Sequence, residues 1–339
     1  MPSSRKNRSW RFLSTTSIPT FLPQPPPEFD MPTDPSHLSR RDILKSAVGT
    51  SVVGGLAMAG TAAAAENPAT TQLPPEDFKA SGKRIKQSVM AWCFNPMPME
   101  ELIPACAKMG LVGMEGLDKK WYPLMKEHGL KVSLAQGHNF NKGPVDASLH
   151  PMLEARLKES IDTAVEWDCK NVITFTGMSV EGQSFEQGTK NCVDFFKKIV
   201  PYAEEKNVTL VMEHLNSRDD SHPMKGHPGY FGDDVDHCID IIKQVDSPNF
   251  KLLFDFYHVQ IMNGDVTRRF QQLLPYIGHL HTAGNPGRCE IDENQEMNYA
   301  AIIRAVAESD YDGYVVQEYI PTWDDKIAAL RHGVALCDV

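Results

Sequence analysis

The sequence is poor in the features that mark disulfide-stabilised, zinc-ribbon and nucleotide-binding proteins. Its 339 residues include only seven cysteines, and no two of them form a C-x-x-C pair. An odd number of widely spaced cysteines argues against a disulfide scaffold or a zinc ribbon, and predicts that most are small buried hydrophobic residues. Neither G-x-G-x-x-G nor G-x-x-x-x-G-K occurs, which argues against a doubly wound nucleotide-binding fold.

The sequence also lacks an excess of basic residues. Lys and Arg number 34 against 44 Asp and Glu, which gives a formal net charge of −10. A nucleic-acid-binding protein needs a basic surface to displace counterions from phosphates, so we expect no nucleic-acid partner. Hydrophobic residues make up 41% and charged residues 23% of the chain, and these proportions are ordinary for a soluble globular protein.

The first 38 residues carry little that could build a core. A proline-rich stretch with Ser, Thr and Arg around it predicts a disordered extension over residues 1–38. An upstream start codon would equally account for this segment, and Met31 would then be the true start. Residues 66–82 are polar and proline-containing, so we interpret them as a linker to a folded domain at residues 83–339.

An export signal is predicted between these two segments, at residues 39–65. Ser39–Lys45 reads S-R-R-D-I-L-K and resembles a twin-arginine motif, and a Gly/Ala-rich run with a final Ala-Ala-Ala follows it. The run is too weakly apolar for a good membrane anchor, so no stable membrane insertion is expected after cleavage. We therefore expect a periplasmic or exported protein, which would stay cytoplasmic if the signal is not used.

The folded domain alternates short β-branched runs with amphipathic helical segments. This alternation predicts βα units around a parallel sheet, and eight such units in about 250 residues are typical of a (β/α)₈ barrel. A doubly wound open sheet is the second choice. The predicted strands are Gln87–Cys93, Gly113–Gly116, Lys131–Ala135, Asn171–Thr174, Thr209–Glu213, Lys251–Asp255, Ile277–His281 and Tyr314–Glu318.

Four consecutive predicted strands, the fifth to the eighth, end in ionisable side chains, namely Glu213, Asp255, His281 and Glu318. Taken alone, each of these residues fits a helix N-cap or a solvated position as well as it fits a functional site. In a barrel, however, these strand ends converge on one mouth. Three carboxylates there would repel one another unless a cation neutralised them, and Mg²⁺ or Mn²⁺ suits such oxygen-rich ligands. The joint pattern therefore predicts a divalent metal site.

Several motifs resemble those of the hydroxypyruvate isomerases. They are Asp255–Asp265 (DFYHVQIMNGD), Gly278–Arg288 (GHLHTAGNPGR), Glu296–Tyr299, Pro228–Phe231 and the Gln87–Cys93 strand. They occur in order and span nearly all of residues 83–335. The wider superfamily is that of xylose-isomerase-like barrels, which includes ketose 3-epimerases, inosose dehydratases and endonuclease IV.

The resemblance implies an aldose–ketose type isomerase that converts a small hydroxy-carbonyl compound, such as hydroxypyruvate to tartronate semialdehyde. It implies a divalent metal held by Glu213, Asp255, His281 and Glu318. Glu213 and Glu318 would also be the catalytic acid/base pair, and His258 and Arg288 would contact substrate oxygens. Trp92 and His138 are weaker candidates for the pocket wall.

Alternatives remain open at this point. His281 occupies a position where hydroxypyruvate isomerases carry Gln and epimerases carry His, which favours a ketose 3-epimerase or keto-sugar dehydratase; the A-G-x-P-G-R spacing ending at Arg288 opposes it. A nuclease would need more ligands and a basic face. A non-catalytic exported sugar-binding protein would not need both Glu213 and Glu318 at a metal. The native metal and homo-oligomer formation are not decided by the sequence.

Overall fold

The computed structural model describes residues 73–82 and 84–339. The predicted extension at 1–38 and the predicted signal at 39–65 lie outside the described residues. Within the described part, no helix has both the length and the apolar character needed to cross a bilayer.

Eight parallel strands form the sheet: β1 Lys86–Met90, β2 Gly113–Glu115, β3 Lys131–Val132, β4 Asn171–Phe175, β5 Thr209–Glu213, β6 Phe250–Asp255, β7 Ile277–Thr282 and β8 Tyr314–Gln317. Their order in the sheet is β3-β2-β1-β8-β7-β6-β5-β4. One parallel bridge between Ala135 and Val172 joins its two outer strands, so the sheet curves round into an α/β barrel. The prediction of a barrel of eight parallel strands with helices around it is thus confirmed.

Helices follow the strands and cover the outside of the barrel. Their inward faces are apolar: the helices Phe185–Glu205 and Val235–Val245 each bury several apolar side chains, which stabilises the layer by removing apolar surface from water. The helices are α1 Met99–Lys108, α2 Tyr122–Glu127, α3 His150–Glu166, α4 Phe185–Glu205, α5 Val235–Val245, α6 Phe256–Met262, α7 Val266–Leu273, α8 Tyr299–Ala307 and α9 Lys326–Leu336.

Side-chain alternation along the strands directs the polar strand ends into the barrel. Val211 and Leu253 belong to a small apolar cluster that is separate from the main core and joins β5 to β6. Residues two apart on a strand point to the same face. Glu213 and Asp255 therefore share the inward face with Val211 and Leu253, one layer nearer the carboxyl ends of the strands.

Two short helices were not predicted from the sequence. The first, α2, has only six residues, and the second, α6, follows β6 without a loop. Helix α6 begins there because the Asp255 carboxylate accepts hydrogen bonds from the backbone N–H groups of Tyr257 (2.7 Å) and His258 (3.4 Å). This is an N-cap, which supplies partners for otherwise unpaired helical N–H groups.

The last residues of the predicted linker contact the barrel. Ala80 donates its backbone N–H to the Met109 carbonyl oxygen at 2.8 Å, and the Ser81 hydroxyl lies 2.8 Å from an Asp338 carboxylate oxygen. Phe78 packs against the core. The chain is thus attached to the domain several residues before β1 begins.

All seven cysteines are free thiols. Six of them are buried and Cys289 is partly exposed. The buried cysteines act as small apolar side chains in the core.

Candidate active site

Glu213, Asp255, His281 and Glu318 converge at the carboxyl ends of β5 to β8. Asp255 and His281 face each other in the β6–β7 register, and Glu318 joins the strand end by donating its backbone N–H to the Thr282 carbonyl oxygen at 2.9 Å. One ligand atom from each of the four residues lies within 4.8 Å of the other three. All four side chains are buried. The fold therefore brings together the four predicted ligands.

Three buried atoms of this cluster make no hydrogen bond: Glu213 Oε1, Glu318 Oε2 and His281 Nδ1. His281 Nδ1 lies 2.7 Å from Glu318 Oε2 and 3.4 Å from Glu213 Oε1, but it lacks the alignment of a hydrogen bond to either. Leaving a buried polar atom unpaired costs about 1–3 kcal/mol. A shared cation would satisfy all three atoms at once. Carboxylates with one imidazole fit Mg²⁺ or Mn²⁺, and also tolerate Zn²⁺ or Co²⁺.

Burial and mutual repulsion shift the protonation of the cluster. Burial, reinforced by the negative charge of Glu318, raises the pKa of Asp255 to about 7. Burial also raises the pKa of Glu213. It would raise the pKa of Glu318 too, but the charges of His281 and Arg288 outweigh burial and lower it. Burial thus favours the protonated forms of Asp255 and Glu213, and a further positive charge in the cluster would favour their ionised forms.

Arg288 lies beside Glu318 and inside the pocket. Its Nη2 is 3.0 Å from Glu318 Oε1, and its guanidinium lies over the rings of Trp92 and Tyr257, at 5.6 and 5.5 Å from their centroids. Contacts with two aromatic faces and a carboxylate fix the orientation of the guanidinium. Arg288 is thus a rigid cationic group next to the candidate metal ligands.

His258 faces Asp255 and not the cavity. Its Nε2 lies 3.6 Å from Asp255 Oδ2, and its Nδ1 accepts a hydrogen bond from the Asn216 backbone N–H at 3.1 Å. It is fully buried and is not among the residues that line the pocket. The structure thus places this predicted substrate-binding residue behind a candidate metal ligand.

The cluster opens into a cavity of about 750 Å³. The residues that line this cavity include Glu213, Glu318 and Glu115, although the Glu115 side chain is fully buried. Asp255 and His281 do not line it. The walls include aromatic rings and several cationic side chains, and both weaker candidates, Trp92 and His138, are among them. The lining residues that bear on recognition are Trp92, His138, Phe140, Lys142, Arg156, Phe175, Lys225, His227 and Arg288. A small polar molecule that enters would meet Glu213 and Glu318 beside Arg288, with further cationic side chains in the cavity wall.

Sequence reasoning missed two buried residues behind the cluster, Glu115 and His279. Glu115 ends β2 and lies 2.8 Å from His281 Nε2 and 2.9 Å from His279 Nε2. The three residues are spaced so that they could hold a metal ion of their own. Alternation was the available signal for His279, because it lies two residues before His281 on the same strand. Glu115 ends a strand of only three residues, which offers no apolar run to draw attention to it.

The comparison with known families agrees with this architecture. The family described as "Xylose isomerase-like TIM barrel" matches residues 103–337. The chain belongs to this family. It is 30% identical over 244 residues to the 2-oxo-tetronate isomerase of Haemophilus influenzae, a match that covers 67% of this chain and 90% of the relative.

A second relative and a solved structure extend the comparison. A Danio rerio protein named "Putative hydroxypyruvate isomerase" is 28% identical over 254 residues, which are 68% of this chain and 88% of the relative. The crystal structure of the 3-keto-D-glucoside 4-epimerase from E. coli matches with a TM-score of 0.62 at 19% identity, over 75% of this chain and 98% of that one. The names of the relatives bear out the prediction of an isomerase, while the structural match concerns the fold alone.

The unpaired ligand atoms predict that a divalent cation stabilises the protein. We expect Mn²⁺ at about 100 times its Kd to add roughly 2.7 kcal/mol of stability, which corresponds to a rise of about 5–10 °C in the Tm of a domain of this size. Asp255→Asn should reduce this shift, whereas the exposed helical substitution Glu205→Gln should not. Melting curves with Mn²⁺ and with EDTA measure the effect, and a Tm that Mn²⁺ leaves unchanged in the unsubstituted protein would refute the site.

Proposed function

We propose that the protein is a metal-dependent isomerase that interconverts an α-hydroxy ketone and an α-hydroxy aldehyde through an enediolate. Hydroxypyruvate and tartronate semialdehyde are the first pair to test. The observation that carries this proposal is that Glu213 and Glu318 belong to the buried ligand cluster and also line the cavity. The names of the relatives support the reaction class.

Four side chains would hold the metal: Glu213, Asp255, His281 and Glu318. A bound Mg²⁺ or Mn²⁺ would supply positive charge next to the two neighbouring substrate oxygens, where negative charge develops. Asp255 uses one carboxylate oxygen to cap α6, so its second oxygen is the one left for a metal. The cap fixes the Asp255 side chain, and His258 Nε2 lies 3.6 Å from the second carboxylate oxygen, Oδ2.

The reaction needs two proton movements on adjacent carbons. A proton leaves the carbon that bears the hydroxyl group, and a proton is returned to the carbon that bore the carbonyl group, while the hydroxyl proton passes to the former carbonyl oxygen. A carboxylate on each side of the substrate suffices for these steps. Glu213 comes from β5 and Glu318 follows β8, so they reach the cavity from separate strands.

Cationic side chains favour an acidic substrate. Arg288 presents a planar guanidinium that can bind a carboxylate with two parallel hydrogen bonds. Lys142, Arg156 and Lys225 also line the cavity, and Lys225 lies over the Trp92 ring at 5.3 Å from its centroid. Together they would offset the negative charge of a small oxo acid in a protein that is acidic overall.

A ketose 3-epimerase is the second candidate, and the observation that favours it is His281. The structure includes this imidazole in the ligand cluster, and epimerases carry His at this position. Incubation with hydroxypyruvate or with free ketoses in D₂O distinguishes the two functions. An isomerase moves the carbonyl group and incorporates deuterium at the former carbonyl carbon, whereas an epimerase leaves the carbonyl group in place and labels the inverted carbon.

Removing either carboxylate that lines the cavity should abolish turnover. Glu213→Gln and Glu318→Gln keep the side-chain shape but remove the proton-accepting oxygen, so we expect kcat to fall by about 10²–10⁴-fold or more. Steady-state kinetics with saturating Mn²⁺ measure this loss, and Glu205→Gln is the matched surface control. Substantial activity in either variant would refute the two-carboxylate scheme.

Arg288→Ala should discriminate between acidic and neutral substrates. Loss of a charge-assisted bidentate contact worth about 1.5–3 kcal/mol should raise KM for hydroxypyruvate by roughly 10–100-fold. KM for dihydroxyacetone, which has no carboxylate, should change much less. An equal effect on both substrates would show that Arg288 does not recognise a carboxylate.

We also propose export through the twin-arginine route, on the strength of the motif at residues 39–45. Substitution of both arginines, Arg40→Lys together with Arg41→Lys, should leave the enzyme in the cytoplasm, since both residue types are basic but the motif is lost. Immunoblots of periplasmic and cytoplasmic fractions from a bacterial host measure this. Unchanged export of the double variant, or a cytoplasmic location of the unsubstituted chain, would refute the route.

A further inference from the structure

Glu115 is a buried carboxylate whose hydrogen-bond partners are all uncharged groups or histidines. Its Oε1 lies 2.8 Å from His281 Nε2. Its Oε2 lies 2.9 Å from His279 Nε2 and accepts a hydrogen bond from the Ser133 hydroxyl at 2.6 Å. No Lys or Arg pairs with it in the described part of the chain. A buried carboxylate needs compensation, so a source of positive charge must act on it through one of these partners.

The hydrogen bonds fix which ring nitrogen of each histidine carries the proton. An ionised Glu115 only accepts hydrogen bonds, so both Nε2 atoms donate to it. His279 agrees with this, because its Nδ1 faces the amide Nδ2 of Asn171 at 3.5 Å, and an amide nitrogen can only donate. A metal ion binds an imidazole only through a nitrogen that carries no proton. Because His281 Nε2 donates to Glu115, that nitrogen is Nδ1, one of the unpaired atoms in the ligand cluster.

The same hydrogen bonds argue against a second metal ion between Glu115, His279 and His281. The ligand atoms that these residues offer, both Glu115 oxygens and both Nε2 atoms, already pair with one another. In the other cluster, by contrast, Glu213 Oε1, His281 Nδ1 and Glu318 Oε2 have no hydrogen-bond partner. His281 spans the two groups, with Nε2 on the side of Glu115 and Nδ1 on the side of Glu318.

We propose that Glu115 is a positioning residue: it holds His281 in the Nε2–H tautomer and so presents the Nδ1 lone pair to the metal. This role rests on the metal-dependent function proposed above. The Glu115 charge makes the imidazole a stronger ligand, and the metal charge in turn compensates the buried carboxylate. Loss of such an outer carboxylate typically weakens metal binding by about 10–100-fold.

Mn²⁺ titration of the metal-free full-length protein, followed by electron paramagnetic resonance of the free ion, tests this role. Glu115→Gln should weaken Mn²⁺ binding by about 10–100-fold. Glu115→Asp should keep part of the affinity, because aspartate retains the negative charge on a side chain that is one methylene group shorter. Saturating Mn²⁺ should recover most of the turnover of Glu115→Gln, with KM little changed.

His279→Gln is the control for general damage to the buried network. It removes the other imidazole from Glu115 and leaves the His281 contact, so we expect Mn²⁺ affinity to stay within about threefold of the unsubstituted value while the Tm falls as it does in Glu115→Gln. Equal loss of affinity in both variants, or unchanged affinity in Glu115→Gln, would overturn the positioning role alone. Absence of Mn²⁺ binding in the unsubstituted protein would overturn the metal-dependent function and, with it, this role.

A measurement on the unsubstituted protein covers the case in which Glu115→Gln does not fold. Nuclear magnetic resonance of ¹⁵N-histidine-labelled protein loaded with Zn²⁺ reports which ring nitrogen is protonated. We expect His281 to show a slowly exchanging Nε2–H, since that nitrogen is buried against Glu115. A proton on Nδ1, or an unprotonated Nε2, would refute the proposal.

Discussion

Mutual repulsion between buried carboxylates is the constraint on which the rest of this structure depends. Glu213, Asp255 and Glu318 lie within a few ångströms of one another at the mouth of the barrel, and all are buried. Such a cluster is stable only with protons or a cation among the oxygens. Arg288 supplies part of the positive charge, while burial and the negative charge of Glu318 raise the pKa values of Asp255 and Glu213.

The barrel makes this arrangement possible because its packed strands form a rigid core, and the side chains at their carboxyl ends carry the chemistry. The strands direct alternate side chains inward, so the layer of Val211 and Leu253 supports the layer of Glu213 and Asp255 directly above it. Buried groups behind the ligands complete the site: Glu115 contacts His281, and His258 contacts Asp255. The cavity side is different in character, since aromatic rings and cationic side chains line it together with Glu213 and Glu318. An acidic, oxygen-rich substrate fits this combination.

The sequence predicts the parts of the site that follow long apolar runs. Strands β5 and β6 end in Glu213 and Asp255, His281 lies one residue before the end of β7, and Glu318 directly follows β8. The parallel barrel brings these strand ends together. The sequence does not single out Glu115, because β2 is only three residues long, and it does not single out His279, because this residue lies inside β7 and not at its end. The orientation of His258 could not be predicted either, because it depends on α6, a helix of seven residues that begins at the Asp255 cap. Contacts between distant strands, such as Glu115 with His281, leave no local pattern in the sequence.

The central claim, that one divalent cation links the ends of four strands, is tested most directly by locating the ion. Crystals of the full-length protein grown with Mn²⁺ would give an anomalous difference map at the manganese absorption edge. Our account predicts a single strong peak within coordination distance of Glu213, Asp255, His281 and Glu318. An empty map at this centre, or a peak between Glu115 and His279 instead, would contradict it.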